Sequence, residues 1–346
     1  VKDRLINFFG SEWFGMAIAT LAVAQTFFLA SRYMENITLK YTGEIFFYLG
    51  IIIFLVIFIL WTIRGLTIHD KKWSHWNNLT RLSFIALVPI ILFVINHITI
   101  ELYGINELMA RLSLYNYFFS YFLALILGVL LGYRIYTKEI NRNEINYAII
   151  IPPLSIGTSI FLATPLIGYY HGTIAESIYF LVLMGLGIFF FLYIFIGSVA
   201  LSGHVSNKSG SSLPTAMLPV GVSSLIIINL ISINSFGAVI DHLPFSIYTV
   251  EFVSILLWGF EVWNFLVMMI IVFRKETFGY LSVWAYGFPL GLFATSTIKL
   301  EEVTKIVILG NIFIFIWVAL VLLWFYGILN TYVFIRRGIL GSHPDK

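Results

Sequence analysis

No cysteine occurs in the chain, which removes disulfides, thiolate metal sites and cysteine nucleophiles at once. Charge is scarce as well: Asp, Glu, Lys and Arg make up 11% of the 346 residues, against about 25% in a typical soluble domain. No Gly-rich phosphate loop, HExxH or nucleophile elbow is present, so nucleotide-driven pumping and hydrolysis by this chain are disfavoured. No cofactor, metal or nucleic-acid partner is implied. His69 and His75 flank Asp70 in the polar stretch Gly65–Arg81, but its tryptophans and lysines read as an interfacial anchor.

What the chain has in abundance is apolar sequence. Hydrophobic residues make up 60%, and the mean hydropathy is +0.95. Runs of roughly 20 apolar residues recur from end to end, the length an α-helix needs to cross a bilayer. Ten spans are predicted, at about 12–32, 45–64, 82–102, 113–135, 147–168, 175–201, 214–236, 246–273, 282–298 and 305–334. The fold class is therefore all-α integral membrane, in a single membrane domain covering 1–346. The first run is itself long enough to span, so it reads as a span rather than a cleavable leader.

Of the 20 lysines and arginines, only Arg32, Lys40, Arg111, Lys299 and Lys305 fall on the face opposite the termini. By the positive-inside rule both termini are expected in the cytoplasm, with the chain multi-pass in the cell membrane.

Proline divides the spans into two sets. The third has Pro89, the fifth Pro152, Pro153 and Pro165, the seventh Pro214 and Pro219, and the ninth Pro289 between Gly287 and Gly291. The first has no proline but a run of small residues, Ala17, Ala19, Thr20, Ala22 and Ala24. Even-numbered spans have no interior proline and are dense in Ile, Leu and Phe. A helix with interrupted backbone bonds is tolerated in a membrane where protein or cavity water satisfies it, whereas an unbroken aliphatic helix suits lipid. Five helical hairpins follow, with kinked odd helices in an inner ring around a central pore and smooth even ones outside. Pro89, Pro153, Pro219, Pro289, Gly287 and Gly291 are the expected kink positions.

Thr20, Ser159, Ser223, Asn229 and Thr295 are candidate pore-lining residues, because hydroxyl and amide groups without a ring of carboxylates suit a passing anion better than a cation. Phe288, set at the Gly287–Pro289 break, is the candidate gate, with its ring held by local backbone geometry rather than by a packed pocket. Glu261, mid-span in the eighth helix, and His97, in the third, are candidate proton sites; each also reads as a satisfied helix contact.

Several stretches together resemble a known family. They are Trp284-Ala-Tyr-Gly-Phe288-Pro289, Ile151-Pro-Pro-Leu-Ser-Ile-Gly157, Leu213-Pro-Thr-Ala-Met-Leu-Pro-Val-Gly221 and Trp13-Phe-Gly-Met16. Their order and spacing are similar to those of the tellurite-resistance/dicarboxylate transporter family, which includes bacterial TehA and the plant guard-cell slow anion channels. Asn78–Phe84 fits the start of span three only loosely, and Ala19-Thr-Leu-Ala22 replaces a more glycine-rich run. The resemblance implies ten helices in a quasi-fivefold ring, a homotrimer with a pore in each protomer, and an aromatic gate at Phe288. It implies small inorganic or organic anions as the transported species, through an anion channel or uniporter. The alternative is a proton-coupled exporter of dicarboxylates or oxyanions such as malate, sulfite or tellurite.

Overall fold

The computed structural model describes residues 9–67, 78–139, 145–206, 212–236, 240, 246–274 and 276–340; the His69–His75 stretch lies outside them. Ten helical segments are long and apolar enough to cross a membrane. They are span 1 (Ser11–Tyr33), span 2 (Ile37–Leu66), span 3 (Leu79–Tyr103), span 4 (Glu107–Thr137) and span 5 (Tyr147–Tyr169), then span 6 (Thr173–Gly203), span 7 (Leu213–Ser235), span 8 (Ile247–Phe273), span 9 (Leu281–Thr304) and span 10 (Ile308–Arg337). All regular structure among the described residues is helical.

Consecutive spans pair as hairpins, and the turns show how. Span 1 leads into span 2 through Glu35 (φ 51°), span 3 into span 4 through Gly104 (φ 76°), and span 5 into span 6 through Gly172 (φ 62°). Lys305 (φ 60°) does the same between spans 9 and 10. A left-handed residue ends the helix and reverses the chain within a few residues. Asn106 then restarts span 4 by accepting the Met109 N–H at 2.8 Å, and the Ser246 hydroxyl caps span 8 in the same way.

Burial sorts the spans into two sets. In the odd spans 67–89% of the apolar window is buried, against 22–33% in the even ones. Each odd span packs against the next: 1 on 3, 3 on 5, 5 on 7, 7 on 9, and 9 back on 1. The even spans present Ile, Leu, Val and Phe outward, for example Ile52, Leu55, Val56 and Ile59 of span 2. Such side chains are at home in lipid and need no internal partner.

The breaks fall in the odd spans. Span 3 is interrupted at Ala86, between helices Leu79–Ile85 and Leu87–Tyr103. Span 5 is interrupted at Thr158 and Ser159, between Ile151–Gly157 and Ile160–Tyr169. Spans 7 and 9 begin as 3-10 helices, Leu213–Met217 and Leu281–Tyr286, before turning α-helical at Leu218 and Gly287. Pro89, Pro153, Pro219 and Pro289 thus all lie in the first turn of an α-helix, not in its interior. There the missing N–H would have had no helical partner in any case. The even spans run as single helices; the helix that contains span 6, Thr173–Ser206, is 34 residues long.

Candidate functional site

Span 9 is held between two neighbours at very short range. A side chain at Gly287 would collide with Ala19, and a Cβ on Gly291 would stand 2.6 Å from the Ala22 Cβ, both on span 1. On the other side a Cβ on Gly221 of span 7 would come within 3.0 Å of the Pro289 Cα. Small residues on three helices therefore let backbones approach where Phe288 leaves span 9. The Phe288 ring is 5% exposed and belongs to the main hydrophobic cluster with Leu292. It is packed, a difference from the sequence expectation, because alanines and glycines draw the neighbouring helices in around it.

Next to that ring is a cavity of about 20 Å³, lined by Ala22 and Gln25 of span 1, Val94 and His97 of span 3, and Phe161 of span 5. Phe288, Gly291, Leu292 and Thr295 of span 9 complete it. That volume holds on the order of one water molecule. None of the lining residues is acidic.

Polar groups lie on the side away from the termini. Gln25 donates from Nε2 to Glu101 Oε2 at 3.1 Å, and Glu101 pairs with Arg32 at 2.6 Å. The His97 Nε2 is 3.8 Å from the same carboxylate, and its ring lies 5.6 Å from that of Phe161. The Phe161 carbonyl, which Pro165 cannot serve as a helical donor, is also beside His97.

Of the candidate lining residues, Thr295 borders the cavity. Thr20 donates to Met16 O at 2.8 Å and accepts from Trp324 Nε1 at 2.9 Å, so it faces span 10. Asn229 donates to Gly157 O at 3.2 Å and Leu225 O at 2.8 Å, serving a carbonyl at the break in span 5. Ser223 donates to Pro219 O at 3.2 Å, and Ser159 lies beside Tyr117 of span 4. Glu261 is fully buried and accepts from Ser296 of span 9 at 3.0 Å, on the flank of that helix away from the cavity.

Gln25, Arg32, Glu101 and Lys299 are not among the site residues that the sequence suggests. A signal was available for Lys299, because Phe288, Leu292, Thr295 and Lys299 follow one another at three- and four-residue spacing on one helical face.

Ten membrane-length helices, the five odd ones largely buried, define a polytopic membrane protein. The chain belongs to the voltage-dependent anion channel family (SLAC1), which it matches over residues 8–335. The family resemblance carried by the motifs of spans 1, 5, 7 and 9 is thereby established. Two proteins of Methanocaldococcus jannaschii are similar along nearly their whole length. One, called uncharacterized transporter MJ0762, is 23% identical, with 94% of each chain covered. The other, uncharacterized transporter MJ0576, is 21% identical over 95% of this chain and 94% of its own.

Proposed function

We propose that the protein is a channel or uniporter for small anions, with a pore through each protomer that the Phe288 ring closes. One observation carries this reading: the ring lines a cavity built from spans 1, 3, 5 and 9, and no carboxylate lines that cavity. The cyclic packing of the odd spans supports a ring around a central path. An apolar side chain in a narrow path excludes an ion by denying it hydration, and this barrier needs neither charge nor tight binding.

Removing the ring tests the proposal. In proteoliposomes, Phe288→Ala should raise anion conductance well above that of the unmodified protein. Phe288→Leu should conduct less than Phe288→Ala, and Phe288→Trp should stay closed. A folded Phe288→Ala protein that conducts no better than the parent would sink the gate.

Proton-coupled export of organic acids or oxyanions is the second reading. It is favoured by His97, an ionisable ring on the cavity wall beside Glu101. Flux down an anion gradient at zero pH gradient separates the two: a channel conducts, and a coupled carrier stalls. Family membership supports a homotrimer in which each protomer bears its own pore, and the asymmetry of lysine and arginine supports cytoplasmic termini.

A further inference from the structure

A second cavity, about 460 Å³ in volume, lies on the outer side of the helix bundle between spans 6 and 8. Tyr193, Ile194, Gly197 and Leu201 of span 6 form one wall, and Phe260, Trp263 and Asn264 of span 8 the other. Ala216 and Pro219 of span 7 are its floor, and Tyr147, the first residue of span 5, lines it as well. Its lips are open to the bilayer, since Ile194, Leu201, Phe260 and Trp263 are all exposed. Phe260 is at the middle of Ile247–Phe273, and Leu201 is in the last turn of span 6, at the end near the termini. From Phe260 to the end of its helix is roughly 20 Å at the helical rise, against about 15 Å for half of a bilayer's hydrocarbon core. The cavity therefore follows one leaflet, the one on the side of the termini.

The lining selects the chemistry of the guest. No charged residue is part of it. The Tyr193 hydroxyl has no hydrogen-bond partner among the described residues. Asn264 gives one Nδ2 hydrogen to Ala216 O at 3.2 Å and has a second to offer. Two free donors on an otherwise apolar wall suit a hydrocarbon that carries an acceptor oxygen, and they do not suit a bare ion. Width narrows the choice further. A helix of a second copy, about 10–12 Å across, would rest on the lips, whereas a single hydrocarbon chain is slender enough to reach Pro219. Gly197 keeps the wall thin, because a Cβ there would stand 3.1 Å from the Tyr193 ring.

We propose that this cavity is a binding site for one hydrocarbon chain of a membrane glycerolipid. The chain runs along Ile194, Pro219 and Phe260, and the oxygen that links it to glycerol accepts from the Tyr193 hydroxyl. The lipid bridges the hairpin of spans 5 and 6 to that of spans 7 and 8. With no charge in the lining, the site reads the chain and its linkage rather than the headgroup. It is independent of the anion path.

The probe is palmitoyl-oleoyl phosphatidylcholine, added to protein freed of lipid in detergent, with bound lipid counted by native mass measurement. The parent should hold one lipid per protomer more tightly than any others and should melt at a higher temperature with it. Tyr193→Phe should weaken that binding about 3- to 10-fold, the loss of one hydrogen bond. Gly197→Leu, which fills the chain's place, should abolish both the tight lipid and the thermal rise. Leu201→Trp, at an exposed lip, is read identically if Gly197→Leu does not fold. Exchanging phosphatidylcholine for phosphatidylglycerol should leave the affinity within about 2-fold. A second arm needs no variant: the same lipid with a photoreactive group in its chain, at one lipid per protomer, should label span 6 from Tyr193 to Leu201 and span 8 from Phe260 to Asn264. Equal retention by the parent, Tyr193→Phe and Gly197→Leu overturns the site. So does labelling spread evenly over the even spans, or a strong headgroup preference. Labelling that spares these two walls while marking the other even spans means that a second protomer covers them, and it overturns the site as well.

Discussion

Gly291 of span 9 faces Ala22 of span 1 so closely that a Cβ on the glycine would stand 2.6 Å from the alanine Cβ. Two helix backbones meet there, and neither can yield without moving the segment that carries Phe288. Gly291→Ala should cost about 1–3 kcal/mol through overpacking. Gly132 of span 4 is the control, since a Cβ there meets nothing within 4 Å. Gly132→Ala should be neutral or slightly stabilising, by up to about 1 kcal/mol. Melting temperatures in one detergent compare them, and equal losses at both positions would mean that the close approach is not tight in solution.

Phe293 sits five residues beyond Phe288 but faces the opposite way, with ring centroids 5.7 Å from Phe265 and 6.4 Å from Trp258. It is 1% exposed. Phe293→Ala should therefore cost about 3–5 kcal/mol and add no conductance. Phe288→Ala should cost less, because one side of its packed ring faces the cavity, and should add conductance. Thermal melts and bilayer currents on the two variants make the comparison. A larger loss of stability at 288 than at 293 would place Phe288 among ordinary packing residues.

Glu261 and Ser296 join span 8 to span 9 by a hydrogen bond of 3.0 Å. A fully buried side chain whose partners are the hydroxyls of Ser296 and Ser224 is better served by a neutral group than by a charge. Glu261→Gln should keep the acceptor and leave stability and flux close to those of the parent. Glu261→Ala should lose about 1–3 kcal/mol by removing the link between spans 8 and 9 and opening a void. If Glu261→Gln abolishes flux while the melting temperature holds, the carboxyl is moving a proton and the coupled reading gains.

Lys138, after span 4, and Lys305, between spans 9 and 10, are predicted to lie on opposite sides of the membrane. The chain has no cysteine, so single Lys138→Cys and Lys305→Cys variants report cleanly. In intact cells an impermeant thiol reagent should label position 305 alone. Labelling at 138 from outside would invert the topology.

Outer faces of the even spans carry long aliphatic stripes that need lipid or another protomer. The expected assembly is a trimer. Native mass measurements on the protein in nanodiscs should give three times the 39.5 kDa chain. A predominantly monomeric or dimeric mass would contradict it.

The ten spans were legible in the sequence because a membrane crossing is a matter of length and hydropathy. So was the division into broken and smooth helices, because proline removes a donor wherever it stands and only a shielded position tolerates that loss. The change from 3-10 to α-helix beside Phe288 was legible from its glycine and proline neighbours. What the tertiary structure decided was which way the polar groups turn. Thr20 and Asn229 read as pore-lining, yet one bonds Trp324 and the other bonds Gly157 O across to span 5. A hydroxyl or amide in a membrane takes whichever partner packing brings within reach, and no local pattern records that choice. The same holds for Gln25, Arg32 and Glu101, which are far apart in the chain or at span ends and meet only because spans 1 and 3 lie side by side. Periodicity places a residue on a helix face. The neighbouring helix determines what that face touches.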